Sequence, residues 1–140
     1  MNIQEIEAQI IEEFEMFEDW QDRYGYIIEL GKSLPVIDDT YKTQQYLISG
    51  CQSQVWLHAS YNNGLVEFRA DSDAIITKGI VALLVRVLSH QKPDAILEAP
   101  LDFIEKIALK EHLSPTRSNG LLSMIKQMKL YAVVFKNKNT

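Results

Sequence analysis

The chain has 140 residues, 46% of them hydrophobic and 24% charged, with a formal net charge of −5. That length and apolar share suit one compact domain over 1–140, and the acidic balance argues against nucleic acid as the main partner, because phosphate binding calls for a clustered basic face. A single cysteine, Cys51, excludes an intramolecular disulfide and cannot alone supply the thiolates of a zinc or iron–sulfur site.

The opening Met1-Asn2-Ile3-Gln4-Glu5-Ile6-Glu7 has neither the basic n-region nor the apolar h-region of a secretory signal, so the expected location is cytoplasmic. Ile6, Ile10, Phe14 and Phe17 recur at three- and four-residue steps, which predicts an amphipathic helix whose glutamates, Glu5, Glu7, Glu12, Glu13 and Glu15, face water. Asp19 is placed to cap a second helix carrying Trp20, Tyr24 and Ile27 on one stripe, with Gly31 as its stop. Val36 to Gln45 lacks helical period and reads as a loop leading into a short edge strand, Tyr46-Leu47-Ile48.

Val55, Leu57, Ala59 and Tyr61 alternate with polar or larger residues in the period of a strand. Asn62-Asn63-Gly64 then predicts a tight type I′ hairpin, with Leu65 to Ala70 returning. Asp71-Ser72-Asp73 offers capping oxygens before a nearly all-round apolar helix from Ala74 to about Ser89. Lys78, Gly79 and Arg86 interrupt that run, and it falls short of the ~20 apolar residues that cross a bilayer, so no membrane partner is expected. A turn after Pro93, a helix near Leu101 to Leu109 and a last helix with Ser114 as N-cap and Pro115 at its first position complete the chain. Leu121, Ile125, Met128, Ala132 and Phe135 form the last helix's buried stripe, and residues 137–140 are expected to be disordered.

Cys51 sits in Ser49-Gly50-Cys51-Gln52-Ser53, small and polar residues between two strand-like runs. Gly50 frees the backbone, and Ser49, Gln52 and Ser53 offer hydrogen bonds to a sulfur anion. Position alone leaves two readings open: a nucleophile presented by a loop, or a buried and inert thiol.

Gly50-Cys51-Gln52-Ser53-Gln54-Val55-Trp56 resembles the active-cysteine motif of the SufE family of sulfur acceptors. Arg23-Tyr24 with Ile27-Ile28-Glu29-Leu30-Gly31 and Leu34-Pro35 is similar to the family's N-terminal helix, and Asp71-Ser72-Asp73-Ala74 with Lys78-Gly79 to the start of its central helix. Leu113-Ser114-Pro115-Thr116-Arg117-Ser118-Asn119-Gly120-Leu121 resembles its C-terminal signature, which more often has serine where this chain has Thr116. The resemblance implies an α+β fold, a small antiparallel sheet of about three strands packed against helices, similar to the iron–sulfur scaffold proteins. It also implies that Cys51 takes sulfane sulfur, as a persulfide, from a cysteine desulfurase and passes it toward iron–sulfur cluster assembly. That chemistry is thiol exchange and needs no metal and no second cysteine in the acceptor. The pyridoxal phosphate would belong to the SufS-like desulfurase, so no cofactor is expected here. An iron–sulfur scaffold complex would be the further partner, and both monomer and homodimer remain open.

Around Cys51, the candidate contacts to persulfide or partner are Gly50, Gln52, Ser53, Asp73 and Arg117. Arg117 matches the signature arginine and is suited to an anionic persulfide or an acidic patch, or equally to loop carbonyls. Capping is the favoured role for Asp71, Ser72 and Asp73. His58, seven residues along a strand, lies too far off to act as a base for the sulfur at ~3.3 Å per residue. His90 and His112 stand alone and do not suggest a metal site. Trp56 and Tyr24 read as packing residues, with Trp56 a weaker candidate for lining the cysteine pocket. Against a sulfur carrier stand a non-covalent allosteric activator of the desulfurase in which Cys51 is incidental, a cluster-building scaffold, disfavoured by the single thiolate, and a cysteine hydrolase, which lacks an evident base.

Overall fold

A computed structural model describes residues 1–35 and 37–138. Helix α1, Ile3–Glu15, starts at a capping box in which Asn2 Oδ1 accepts the Glu5 N–H at 2.8 Å and Glu5 Oε1 accepts the Asn2 N–H at 3.1 Å. It buries Ile3, Ile10 and Phe14. Two of its glutamates depart from the expectation that all face water. Glu7 is buried and accepts the Phe103 N–H at 3.0 Å, while Glu13 holds Arg86 through two bonds of 2.6 and 2.8 Å and accepts from the Tyr26 hydroxyl. Each carboxylate ties α1 to a distant element, a partnership that periodicity cannot reveal.

Helix α2, Trp20–Lys32, begins as expected at Asp19, whose carboxylate accepts the Asp22 N–H at 2.9 Å. Gly31 is not its stop, because the helix continues to Lys32. Gly31 serves helix packing: a Cβ there would lie 2.9 Å from Gly79 N, and one on Gly79 would lie 2.1 Å from the Ile27 carbonyl oxygen. The paired glycines thus bring α2 against α3, Ile75–Leu88, backbone to backbone.

The connection expected at Val36 to Gln45 holds two 3-10 turns, Asp39–Tyr41 and Gln44–Tyr46; Val36 lies outside the described residues. The sheet is antiparallel and consists of β1, Val55–Asn62, and β2, Leu65–Ser72. The third strand expected at Tyr46-Leu47-Ile48 contracts to a bridge between Leu47 and Trp56 and one bond from Ile48 N–H to Val55 O at 2.9 Å, because the chain turns away into the cysteine loop. Asn62 pairs with Leu65 around Asn63 (φ 54°) and Gly64 (φ 82°), the two positive φ angles of a two-residue hairpin. Val55, Leu57, Val66, Phe68 and Ala70 share the face that α3 covers.

Of the three residues expected to cap α3, Ser72 keeps its oxygen at the helix start, where Oγ accepts the Ala74 N–H at 3.3 Å, while Asp71 and Asp73 bond elsewhere. The N-cap of α3 is Ala74, with no side-chain bond. Asp71 instead joins Lys42 at 2.6 Å and Lys78 at 3.3 Å, tying the 3-10 segment to α3, and Asp73 turns to the cysteine loop. Short helices α4, Pro93–Glu98, and α5, Phe103–Lys106, follow. The helix expected over Leu101 to Leu109 shrinks to α5 because Leu101 (φ 57°) and Ala108 (φ 56°) adopt left-handed conformations on either side. In α6, Pro115–Lys138, Ser114 Oγ accepts the Arg117 N–H at 3.2 Å, and Leu121, Met128 and Ala132 are buried, with Ile125 and Phe135 half-buried. The helix runs through Asn137 and Lys138 of the expected tail; Asn139 and Thr140 lie outside the described residues. The architecture is α+β, and among the described residues no helix is long and apolar enough to cross a membrane.

Candidate functional site: a thiol at the mouth of a small chamber

Residues 49–54 form a loop closed at its base by the Ile48–Val55 bond and the Leu47–Trp56 bridge. Gly50 sits at φ 90°, a conformation that requires glycine, and a Cβ there would approach Ser123 Oγ of α6 to 2.5 Å, so that side chain would have to turn aside. At the other end, Gln54 N–H donates to Asp73 Oδ1 at 3.0 Å and Asp73 N–H donates to Gln54 O at 3.2 Å. The loop is therefore fastened on one side to the start of α3 and packed on the other against α6.

Cys51 is half-buried between these helices. Its Sγ–H donates to the Gly120 carbonyl oxygen at 3.7 Å, and a Cβ on Gly120 would lie 3.6 Å from the sulfur. Burial pushes the thiol pKa upward, so the resting group is the protonated thiol, and an acceptor carbonyl beside it favours the same form. A chamber of about 60 Å³ opens beside the sulfur. Its loop wall is Cys51, Gln52 and Ser53; α6 contributes Thr116, Arg117, Gly120 and Met124, and α3 contributes Thr77 and Ile80.

Of the residues singled out from sequence, Cys51, Gln52, Ser53 and Arg117 meet at this chamber. Gly50 shapes the loop without lining the chamber, and Asp73 positions the loop from outside. His58 is remote from the sulfur: it stacks on Tyr41 at 3.7 Å between ring centroids, with its pKa lowered by burial and by Arg69. Trp56 does not line the chamber and carries Lys42 over its ring at 5.8 Å. Tyr24 packs edge-on to Trp20, and its hydroxyl donates to the His112 carbonyl. No group of three or more metal-ligating side chains occurs among the described residues. Sequence reading missed Thr77, Ile80, Gly120 and Met124 as site residues, and Thr116, noted only as a departure from the C-terminal signature, lines the same chamber. Two signals pointed to them: Thr77 is a hydroxyl inside an apolar run, and Gly120 is a helical glycine one turn beyond Arg117.

Larger hollows of about 310 and 420 Å³ lie elsewhere, and neither touches Cys51. The 60 Å³ beside the thiol exceeds the roughly 10–15 Å³ that one water requires and falls well below the ~300 Å³ of ordinary small-molecule sites. Such a space has room for an added sulfur atom and is too small for an ordinary organic substrate.

Comparison with known proteins gives a consistent picture. Residues 8–132 match the SufE family model, described as an Fe-S metabolism associated domain. An uncharacterised SufE-like protein of Rhizobium meliloti is 43% identical over 126 residues, covering 86% of this chain and 90% of that one. A second, from Rhizobium etli, is 44% identical over 133 residues, covering 90% and 88%. The solution structure of a hypothetical protein from Thermus thermophilus superposes with a TM-score of 0.75 at 22% identity, covering 91% of this chain and 93% of that one, which establishes likeness of fold. Similarity of this extent reaches far beyond the cysteine loop and takes in all but the ends of the molecule: the chain belongs to the SufE family.

Proposed function

We propose that the protein accepts sulfur from a cysteine desulfurase and carries it as a persulfide on Cys51 toward iron–sulfur cluster assembly. The thiolate of Cys51 attacks the terminal sulfur of the donor's persulfide; a new S–S bond forms on Cys51, the donor S–S bond breaks, and the donor cysteine leaves as a thiolate that takes up a proton. The exchange balances without an external oxidant or reductant. Family membership supports a desulfurase as the donor. The observation that carries the reading is the pairing of the chain's only thiol with a chamber that has room for an added sulfur and not for an ordinary organic substrate.

The resting thiol is protonated and bonded to Gly120, so reaction requires that docking draw the loop away from that carbonyl and free the thiolate. Slower hydrogen exchange or none at residues 49–54 on adding the desulfurase would argue against that movement. The carrier role is tested by incubating the protein with a desulfurase and free cysteine and following intact mass. One added sulfur is expected on the wild type and none on Cys51→Ser, which should also lose stimulation of the desulfurase. Full stimulation by Cys51→Ser would refute the carrier and favour a non-covalent activator.

A further inference from the structure

We propose that Thr77 is the internal hydrogen-bond donor for the carried sulfur, its hydroxyl holding the terminal atom of the Cys51 persulfide inside the chamber; this rests on the carrier reading above. Thr77 is 7% exposed, on the first turns of a helix whose neighbouring buried side chains are apolar. A threonine in a helix commonly satisfies its hydroxyl on the carbonyl four residues earlier. Among the described residues the Thr77 hydroxyl makes no hydrogen bond, whether to that carbonyl or to any other group. No buried side-chain oxygen lacks a partner among the described residues, so an unbonded Thr77 oxygen must reach open space. The space that Thr77 lines is the chamber beside Cys51.

The electrostatics of the chamber give this hydroxyl a task. In the resting state the Gly120 carbonyl accepts the thiol proton, and that same oxygen repels a sulfur anion. A persulfide formed on Cys51 therefore needs a donor from another wall. Gln52 and Ser53 ride on the loop with the cysteine, and Arg117 is exposed at the start of α6. Thr77 alone combines a donor with burial on a helix, and its place does not depend on the loop.

Thr77→Val removes the donor and keeps the side-chain shape, whereas Thr77→Ser keeps the donor. Each variant is loaded with sulfur by a desulfurase and free cysteine, separated from the enzyme, and exposed to cyanide, which removes sulfane sulfur as thiocyanate; intact mass follows the sulfur remaining. Thr77→Val should load and then lose sulfur about tenfold faster than the wild type, the factor expected for one lost bond to a charged acceptor, while Thr77→Ser should match the wild type. If the valine variant melts at a markedly lower temperature, Thr77→Ala provides the same comparison. Loss at the wild-type rate from a loaded, folded Thr77→Val would overturn the inference and leave the carrier reading standing. Failure of the wild type to acquire sulfur at all would bring down both.

Discussion

Replacing Gly79 by alanine tests the backbone contact on which the α3 wall of the chamber depends. In an exposed helix interior that substitution gains about 1 kcal/mol, because alanine has less backbone freedom to lose on folding. At Gly79 the new Cβ would lie 2.1 Å from the Ile27 carbonyl oxygen and 2.5 Å from Ile27 Cγ2. The carbonyl belongs to the ladder of α2 and cannot rotate aside, so α2 and α3 must part by roughly 1 Å. Overpacking of that kind costs about 1–3 kcal/mol, occasionally more, and rigid backbone on both sides places this site at the upper end. Set against the propensity gain, the net effect is a loss of about 2 kcal/mol, or roughly 6 °C in Tm for a domain of this size. Thermal and urea melts followed by circular dichroism measure it. Gly25→Ala in the same pair of helices meets nothing within 4 Å and should raise stability by up to about 1 kcal/mol, so the two substitutions should move Tm in opposite directions. A Gly79→Ala protein as stable as the wild type, or more so, would refute the close-approach argument.

Gly120→Ala would put a Cβ in ordinary contact with the Cys51 sulfur at 3.6 Å; Tm should stay within about 3 °C while sulfur loading slows, and unchanged loading would show that the chamber has room to spare. Because burial raises the Cys51 pKa, the unfolded thiol ionises first as pH rises, so this group's contribution to stability is full below the ordinary thiol pKa and declines as pH climbs toward the raised folded value; the pH profile of iodoacetamide alkylation should have a higher midpoint in native than in urea-unfolded protein. The Arg86 guanidinium, opposed by burial and aided by the Tyr26 hydroxyl, holds Glu13 below its ordinary 4.5, so that contribution is present above 4.5 and lost as pH falls through the lower folded value. Arg86→Met should cost about 1–2 kcal/mol near neutral pH and flatten the fall of Tm between about pH 5 and 3; an acid limb as steep as the wild type's would exclude the pair as its source.

Local chemistry was legible where it acts within a few residues. Asp19 caps its helix, Asn63 and Gly64 turn the hairpin, and Ser114 with Pro115 opens α6, each because a backbone geometry selects its residue type. Illegible features depend on partners far along the chain. Glu7 looks like a solvent-facing glutamate until Phe103, brought against α1, needs an acceptor for its N–H. Asp71 looks like a cap until two lysines from different elements claim it. Gly31 looks like a helix terminator, although its use is to admit Gly79. The cysteine itself was apparent from its motif, but six of the eight residues that line the chamber with it come from α3 and α6, and no spacing rule places Thr77 or Gly120 beside residue 51.

The short pairing at the foot of the cysteine loop limits how far Cys51 can travel. With Ile48 bonded to Val55 and Gln54 tethered to Asp73, the intervening strand of chain is six Cα steps of about 3.8 Å, and half that contour, about 11 Å, bounds any excursion of Cys51 away from its anchors. A thiol on so short an arm cannot probe deep clefts by itself. Any group that reacts with this sulfur must itself come to within about a nanometre of the rim, so the long reach falls to whatever docks there.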